Sequence, residues 1–320
     1  MRTTQLVATT AAGALALTLG ILPSTAGPAV QPTSIALPAA YVQPEPVTLA
    51  AEPVGSFSAL DANQGVAVDR THVYAINNRS ITKIDRRTGE RVLQFVGEPE
   101  GPIQHLDSGV VVHGKIYAAH SNYPEWPMES SIEVFDARTL EHVDSHPIGI
   151  DRGSLTWLDH HDGSWWAGFA NYDNEHEGRI YGENPNTQIV RMDADFQVEA
   201  GYVVPRPILD RFAPMSNSGG SWGPDGNLYL TGHDLAEAYV MQLPRAGAEL
   251  EWLATVELPG VEGQGIAWDR GTRGKGREAH LFGIDRPTRE VKEFDLPLQG
   301  EVPDPVPAPW TVRSGEQIPG

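Results

Sequence analysis

Two residues apart in QHLDSGVVV (104–112), His105 and Asp107 would share one side of a β-strand. A carboxylate beside an imidazole orients it, which suits a general base or a metal ligand. Further imidazoles stand in HSN (120–122) as His120 and in GHD (232–234) as His233, the latter next to Asp234. Arg286, in IDR (284–286), could clamp a substrate carboxylate or stabilise developing negative charge. His105, Asp107, His120, His233, Asp234 and Arg286 are therefore the catalytic candidates. Three histidines with a carboxylate suit Zn²⁺, whereas Asp, Asn and backbone oxygens suit Ca²⁺. Asp234, Asp285 and His233 are the candidate ligands for either ion, although none of them falls in a ligand-spaced motif.

These residues belong to a repeat. QGVAVD (64–69), SGVVVH (108–113), SLTWLD (154–159), SGGSWG (218–223) and QGIAWD (264–269) each open with a small or amide residue, followed by strand formers and a turn. A second strand follows each, with an aromatic near its start: Tyr74, Tyr117, Trp166, Tyr229 and Phe282. Third strands alternate polar and apolar, as in SITKID (80–85) and SSIEVFD (130–136). Period-two alternation broken by turn residues predicts antiparallel hairpins, and helical periodicity is absent. Most starts lie about 45 residues apart, the length of a four-stranded propeller blade, and insertions at 171–186 and 205–216 account for the one longer interval.

Fourth strands follow four of the five units. After the fifth, LPLQGEVPDPVP (296–307) is too proline-rich for a ladder strand, while VGSFSALDANQG (54–65) reads like the strand that precedes the fifth unit. The chain should therefore fold as an all-β, five-bladed β-propeller closed by an N-terminal strand, or as a six-bladed ring if the preceding linker contributes more.

The unit starts and GPDGNLY (223–229) resemble secreted propellers such as plant-type glutaminyl cyclotransferases and, more distantly, the gluconolactonase and paraoxonase lactonases. The likeness spans residues 54–297 and implies the fold. Those lactonases hold calcium in the central channel, but no stretch here matches their ligand motifs.

In a propeller, the starts of the first strands and the ends of the second strands converge on one mouth. These positions are polar in every unit, and they add Gln64, Asn78, Asn122, Asn171, Ser218 and Gln264 as substrate-binding candidates. Two long loops, 122–131 and 171–186, should rise beside the mouth and bring Tyr123, Trp126, Tyr172 and Tyr181 as flat surface for a ring. Packing the loops down would use the same side chains. Trp157, Trp222 and Trp268 are expected as core. Gly219-Gly220-Ser221-Trp222-Gly223 satisfies G-x-S-x-G, yet a nucleophile elbow needs a strand–turn–helix context that is missing here.

Residues 1–26 read as a signal peptide, with Arg2 before the apolar run 11–22; a Pro/Ala-rich linker covers 27–52, the propeller 53–300 and a Pro-rich tail 301–320. No later segment is apolar enough to cross a membrane, and the absence of cysteine excludes a disulfide framework. With 42 acidic against 23 basic residues and a net charge of -19, nucleic acid is excluded as a partner. The expectation is an exported, monomeric enzyme of hydrolase, cyclase or lyase type acting on a small polar or carbohydrate-derived molecule. A glycan- or peptide-binding module and an envelope scaffold are the alternatives.

Overall fold

The computed structural model describes residues 45–176, 178–269 and 279–296. The signal-peptide segment, most of the linker and the tail lie outside these residues. Five sheets form the five blades. The first consists of Gly65–Val68, His72–Asn77, Ser80–Asp85 and Arg91–Val96, and the second of His105–Val112, Lys115–Ser121, Ser130–Asp136 and His142–Gly149. The third contains Ser154–His161, Ser164–Ala170, Gln188–Met192 and Val198–Val203; the fourth contains Gly219–Trp222, Leu228–Thr231, Glu237–Gln242 and Glu251–Glu257. In the fifth, Ala267–Trp268, Leu281–Asp285 and Glu290–Asp295 are joined by the N-terminal strand Glu52–Ser58, which pairs antiparallel with Glu290–Asp295. The ring is thus closed as the sequence implies, with Phe57 opposite Val291 and five blades among the described residues.

Two features depart from the sequence reading. Val47–Ala50, inside the segment read as a linker, adds in parallel to Glu251–Glu257 and gives the fourth blade a fifth strand. Its short alternation is hidden by flanking proline and alanine. Arg206–Phe212 is a helix, with Pro207 in its first turn and Ile208, Leu209 and Phe212 buried. Two turns are too few to display a period.

The core lies between blades. Trp157, Trp166 and Trp222 fill the space between the third and fourth, while Trp268 and Tyr229 pack the fourth against the fifth. Glycine at the second position of a unit allows the innermost strands to crowd together. A Cβ on Gly65 would lie 2.8 Å from the Ser108 Cα, and one on Gly265 would lie 2.6 Å from the Ser108 Cβ. Larger residues would force the blades apart just below the mouth. This narrowing is the floor on which the site is built.

Candidate functional site

Above that floor, on the face where the innermost strands begin, is a cavity of about 340 Å³. Every blade contributes from the head of its innermost strand, with Gln64, Asp107, Thr156, Ser218 and Gln264 among these residues. Asn63, Asn78, His105, His233 and Arg286 complete the polar lining, and Tyr123, Pro124, Tyr172 and Met215 supply one wall. Ten of the sequence candidates therefore meet: Gln64, Asn78, His105, Asp107, Tyr123, Tyr172, Ser218, His233, Gln264 and Arg286.

The amides are held before any ligand arrives. Gln64 Nε2 donates to Asn78 Oδ1 at 2.6 Å, and Asn63 Nδ2 donates to Asn77 Oδ1 at 3.0 Å. Gln264 adopts φ 71, a left-handed conformation uncommon for a side-chain-bearing residue, and its amide N–H donates to Gly232 O.

Asp107 is placed by an irregularity. The ladder between the first two strands of the second blade shifts register between Leu106 and Gly109. Such a bulge re-aims side chains, and here Asp107 is turned into the cavity although only 4% exposed. Its Oδ2 is buried without a hydrogen-bond partner among the described residues, and His105 Nε2 lies 3.6 Å away, beyond hydrogen-bond reach. Burial pushes the Asp107 carboxyl well above the ordinary range, against the opposing pull of Arg286. Burial also lowers His105 to about 4, with His120 and Arg286 adding repulsion of the charged form. Burial thus favours the protonated form of the Asp107 carboxyl and the neutral form of the His105 imidazole.

On the opposite side, Arg286 Nη1 is 3.4 Å from His233 Nε2, and His233 Nδ1 is 2.5 Å from Asp234 Oδ1. Because guanidinium only donates, Nε2 is the acceptor and the ring proton sits on Nδ1, aimed at Asp234. Burial lowers the pKa of Arg286 somewhat, with Arg289 contributing.

The wall is aromatic. Tyr123 packs against His105, Tyr172 and Tyr181 with ring centroids 5.3, 5.3 and 5.5 Å away, and the Tyr181 hydroxyl donates to Pro124 O. The two long loops are thereby joined. Burial raises the Tyr172 hydroxyl pKa, and nearby Asp107 raises it further.

Several candidates fall elsewhere. His120 pairs across the ladder with Leu106, so the pleat sends it to the opposite face from His105. Its Nε2 accepts from Gln104 N at 3.0 Å and its Nδ1 meets Ser131 Oγ at 2.9 Å, which leaves neither nitrogen for the cavity. Asn122 bridges its own loop, donating to Pro127 O and accepting from Glu129 N. Asn171 Nδ2 donates to Arg152 O and Asn186 O, holding the base of the second loop. Trp126 is 51% exposed and Asp234 is also exposed, both outside the lining. Asp285 accepts from Thr288 N at 3.1 Å and faces Lys292 at 3.7 Å. Asp234, Asp285 and His233 do not converge as a ligand set: among the described residues, no three His, Asp or Glu side chains group closely enough to hold a metal ion. Ser221 Oγ donates to Asp159 Oδ2 and accepts from Trp268 N inside the packed strands, remote from any nucleophile elbow.

Four lining residues went unread in the sequence. Asn63 precedes the repeat start, and Thr156 sits at a second bulge, between Leu155 and Trp157. Pro124 and Met215 come from loops that carry no period. The pairing of a register shift with a polar residue is invisible until the ladder is drawn.

No family model and no curated protein matches this chain. Solved structures do. Glutaminyl cyclase from Myxococcus xanthus is 14% identical with a TM-score of 0.54, covering 81% of this chain and 100% of that one. The PQQ-bound aldose sugar dehydrogenase of Streptomyces coelicolor is 14% identical with a TM-score of 0.46, over 77% of this chain and 98% of that one. Virginiamycin B lyase from Staphylococcus aureus is 13% identical with a TM-score of 0.40, over 76% and 74%. At 14% identity the likeness to the glutaminyl cyclase structure is one of fold alone, that of a β-propeller.

Proposed function

We propose that the cavity is the active site of an exported enzyme of hydrolase, cyclase or lyase type, which acts on a small polar molecule with Asp107 as its proton-carrying acid. The observation that carries this reading is the Asp107 carboxyl: buried, turned inward by a bulge, without a hydrogen-bond partner on Oδ2 and 3.6 Å from a neutral imidazole. Leaving a buried polar atom unpaired costs about 1–3 kcal/mol, a penalty that a purely structural carboxyl would shed by finding donors.

In this reading Asp107 delivers its proton to a leaving group or a developing oxyanion. His105 takes up the proton released by the nucleophile and returns it to Asp107, which restores the acid for the next cycle. Gln64, Gln264, Asn78 and Ser218 orient the polar groups of the substrate, and Tyr123 with Tyr172 offers an apolar face. At about 340 Å³ the cavity is at the low end of the roughly 300–1,000 Å³ typical of small-molecule sites. The propeller neighbour named as a glutaminyl cyclase makes N-terminal glutaminyl peptides the first substrates to screen, followed by lactones and glycosides.

The test is turnover by the full chain and by Asp107→Asn. A general acid contributes about 10²–10⁴-fold, so the variant should lose that much of kcat while keeping its circular dichroism spectrum. Turnover equal to that of the parent would overturn the assignment. A non-catalytic reading draws on the half-exposed Trp126, and it predicts that Trp126→Ala weakens ligand binding while Asp107→Asn does not.

A further inference from the structure

Positive charge is scarce in this protein, which makes the position of Arg286 informative. Its guanidinium lines the cavity, and its one hydrogen-bond partner among the described residues is His233 Nε2, at 3.4 Å. Asp234, Asp107 and Glu262 act on it by charge, but none makes a hydrogen bond or ion pair with it among the described residues. Asp234 is held by His233 Nδ1 at 2.5 Å, and Asp285 by Thr288 N and Lys292. A guanidinium carries five donors, so most of this fork faces the cavity unspent. The second observation is on the facing side, where Asp107 Oδ2 is buried with no partner.

We propose that the cavity recognises its ligand through a carboxylate group, seated against the Arg286 guanidinium and closed by the Asp107 carboxyl. This deepens the enzyme reading and rests on the same cavity. The planar fork of arginine matches a carboxylate in two parallel hydrogen bonds, and the Asp107 carboxyl bounds the space on the facing side while its proton stays available to the reacting group. A monoanion fits better than a phosphate dianion, because one cation faces the space and the chain as a whole carries -19. The Asp234–His233 pair is the support that holds the guanidinium in place: His233 Nε2 fixes one edge of the fork, and Asp234 fixes the tautomer of His233.

The experiment titrates the full chain with matched probes by calorimetry: N-acetylglycine against N-acetylglycinamide, lactate against lactamide, and glucuronate against glucose. Within at least one pair, the carboxylate should bind about tenfold or more tightly than its neutral partner, the difference expected when charge-assisted hydrogen bonds are removed. Arg286→Gln should abolish that preference and Arg286→Lys should keep part of it, with thermal unfolding unchanged in both. Equal affinity within every pair, a preference that survives Arg286→Gln, or no binding by any carboxylate at about 10 mM would overturn the proposal. The two readings fail separately. Carboxylate preference without any turnover leaves the anion site standing and removes the enzyme, whereas Asp107-dependent turnover of neutral substrates does the reverse.

Discussion

Two buried aspartates on consecutive innermost strands have opposite fates. Asp107, in the second blade, and Asp159, in the third, are 4% and 1% exposed. Asp159 accepts from Trp222 N at 2.8 Å, Ser221 Oγ at 3.1 Å and His160 N at 2.7 Å, and so ties the third blade to the fourth. Asp107 has no such donors for Oδ2, and burial raises the pKa of its carboxyl. Equal burial therefore says little about role. What separates them is whether donors converge: a satisfied carboxylate is a rivet, and an unsatisfied one at a cavity wall is available to a ligand.

The largest expected effect falls on the rivet. Asp159→Ala would strand the Trp222 amide and the Ser221 hydroxyl in the core, and it should cost about 2–4 kcal/mol in urea unfolding. An unchanged midpoint would break the contrast.

Next is the pH dependence set by His105. Its folded pKa, about 4, lies below the unfolded value near 6.5, so the unfolded chain binds more protons between those limits. Stability is present above about pH 6.5 and is lost as pH falls toward 4, by about 2–3 kcal/mol for this group. Replacing His105 with Asn should remove that part of the profile; a curve parallel to the parent's would refute it.

Asp107 works in the other direction. A carboxyl whose folded pKa is raised stabilises only at low pH, and that contribution is lost as pH rises through the folded value. Asp107→Asn should thus raise Tm by about 2–4 °C at pH 8 and leave it unchanged near pH 4. A fall in Tm at pH 8 would place Asp107 with Asp159 as a structural group. The smallest effect is expected at Ser221→Ala, about 1 kcal/mol of stability with turnover intact; a loss of turnover would instead revive the G-x-S-x-G motif as a nucleophile.

Much of the mouth could be read beforehand because its residues occupy equivalent places in a repeat. Gln64 and Gln264 open two units that cross close to one another, where Gly265 N donates to Gln64 O at 2.9 Å. His105 was legible for the same reason. His120 was not, since a cross-strand pairing with Leu106 turned it between blades, and period two makes every such offset a change of face. Asn122 and Asn171 have the composition of ligand-binding residues but are spent on loop carbonyls and amides. Thr156 escaped because a bulge, which alternation cannot show, sets its direction.

By itself the sequence determined most of the blade strands, the five units and the polar character of the mouth, because alternation and turn chemistry act over a few neighbouring residues. It also determined the closure, since the proline-rich stretch after the fifth unit leaves a place that only residues before the first could fill. Which polar groups would find partners was decided by the tertiary structure alone. The donor that satisfies Asp159 is 63 residues away in the chain, and the imidazole that steadies Arg286 is 53 residues away. Hydrogen-bond satisfaction is a property of groups brought together around the axis, and it is what distinguishes one buried aspartate from the other.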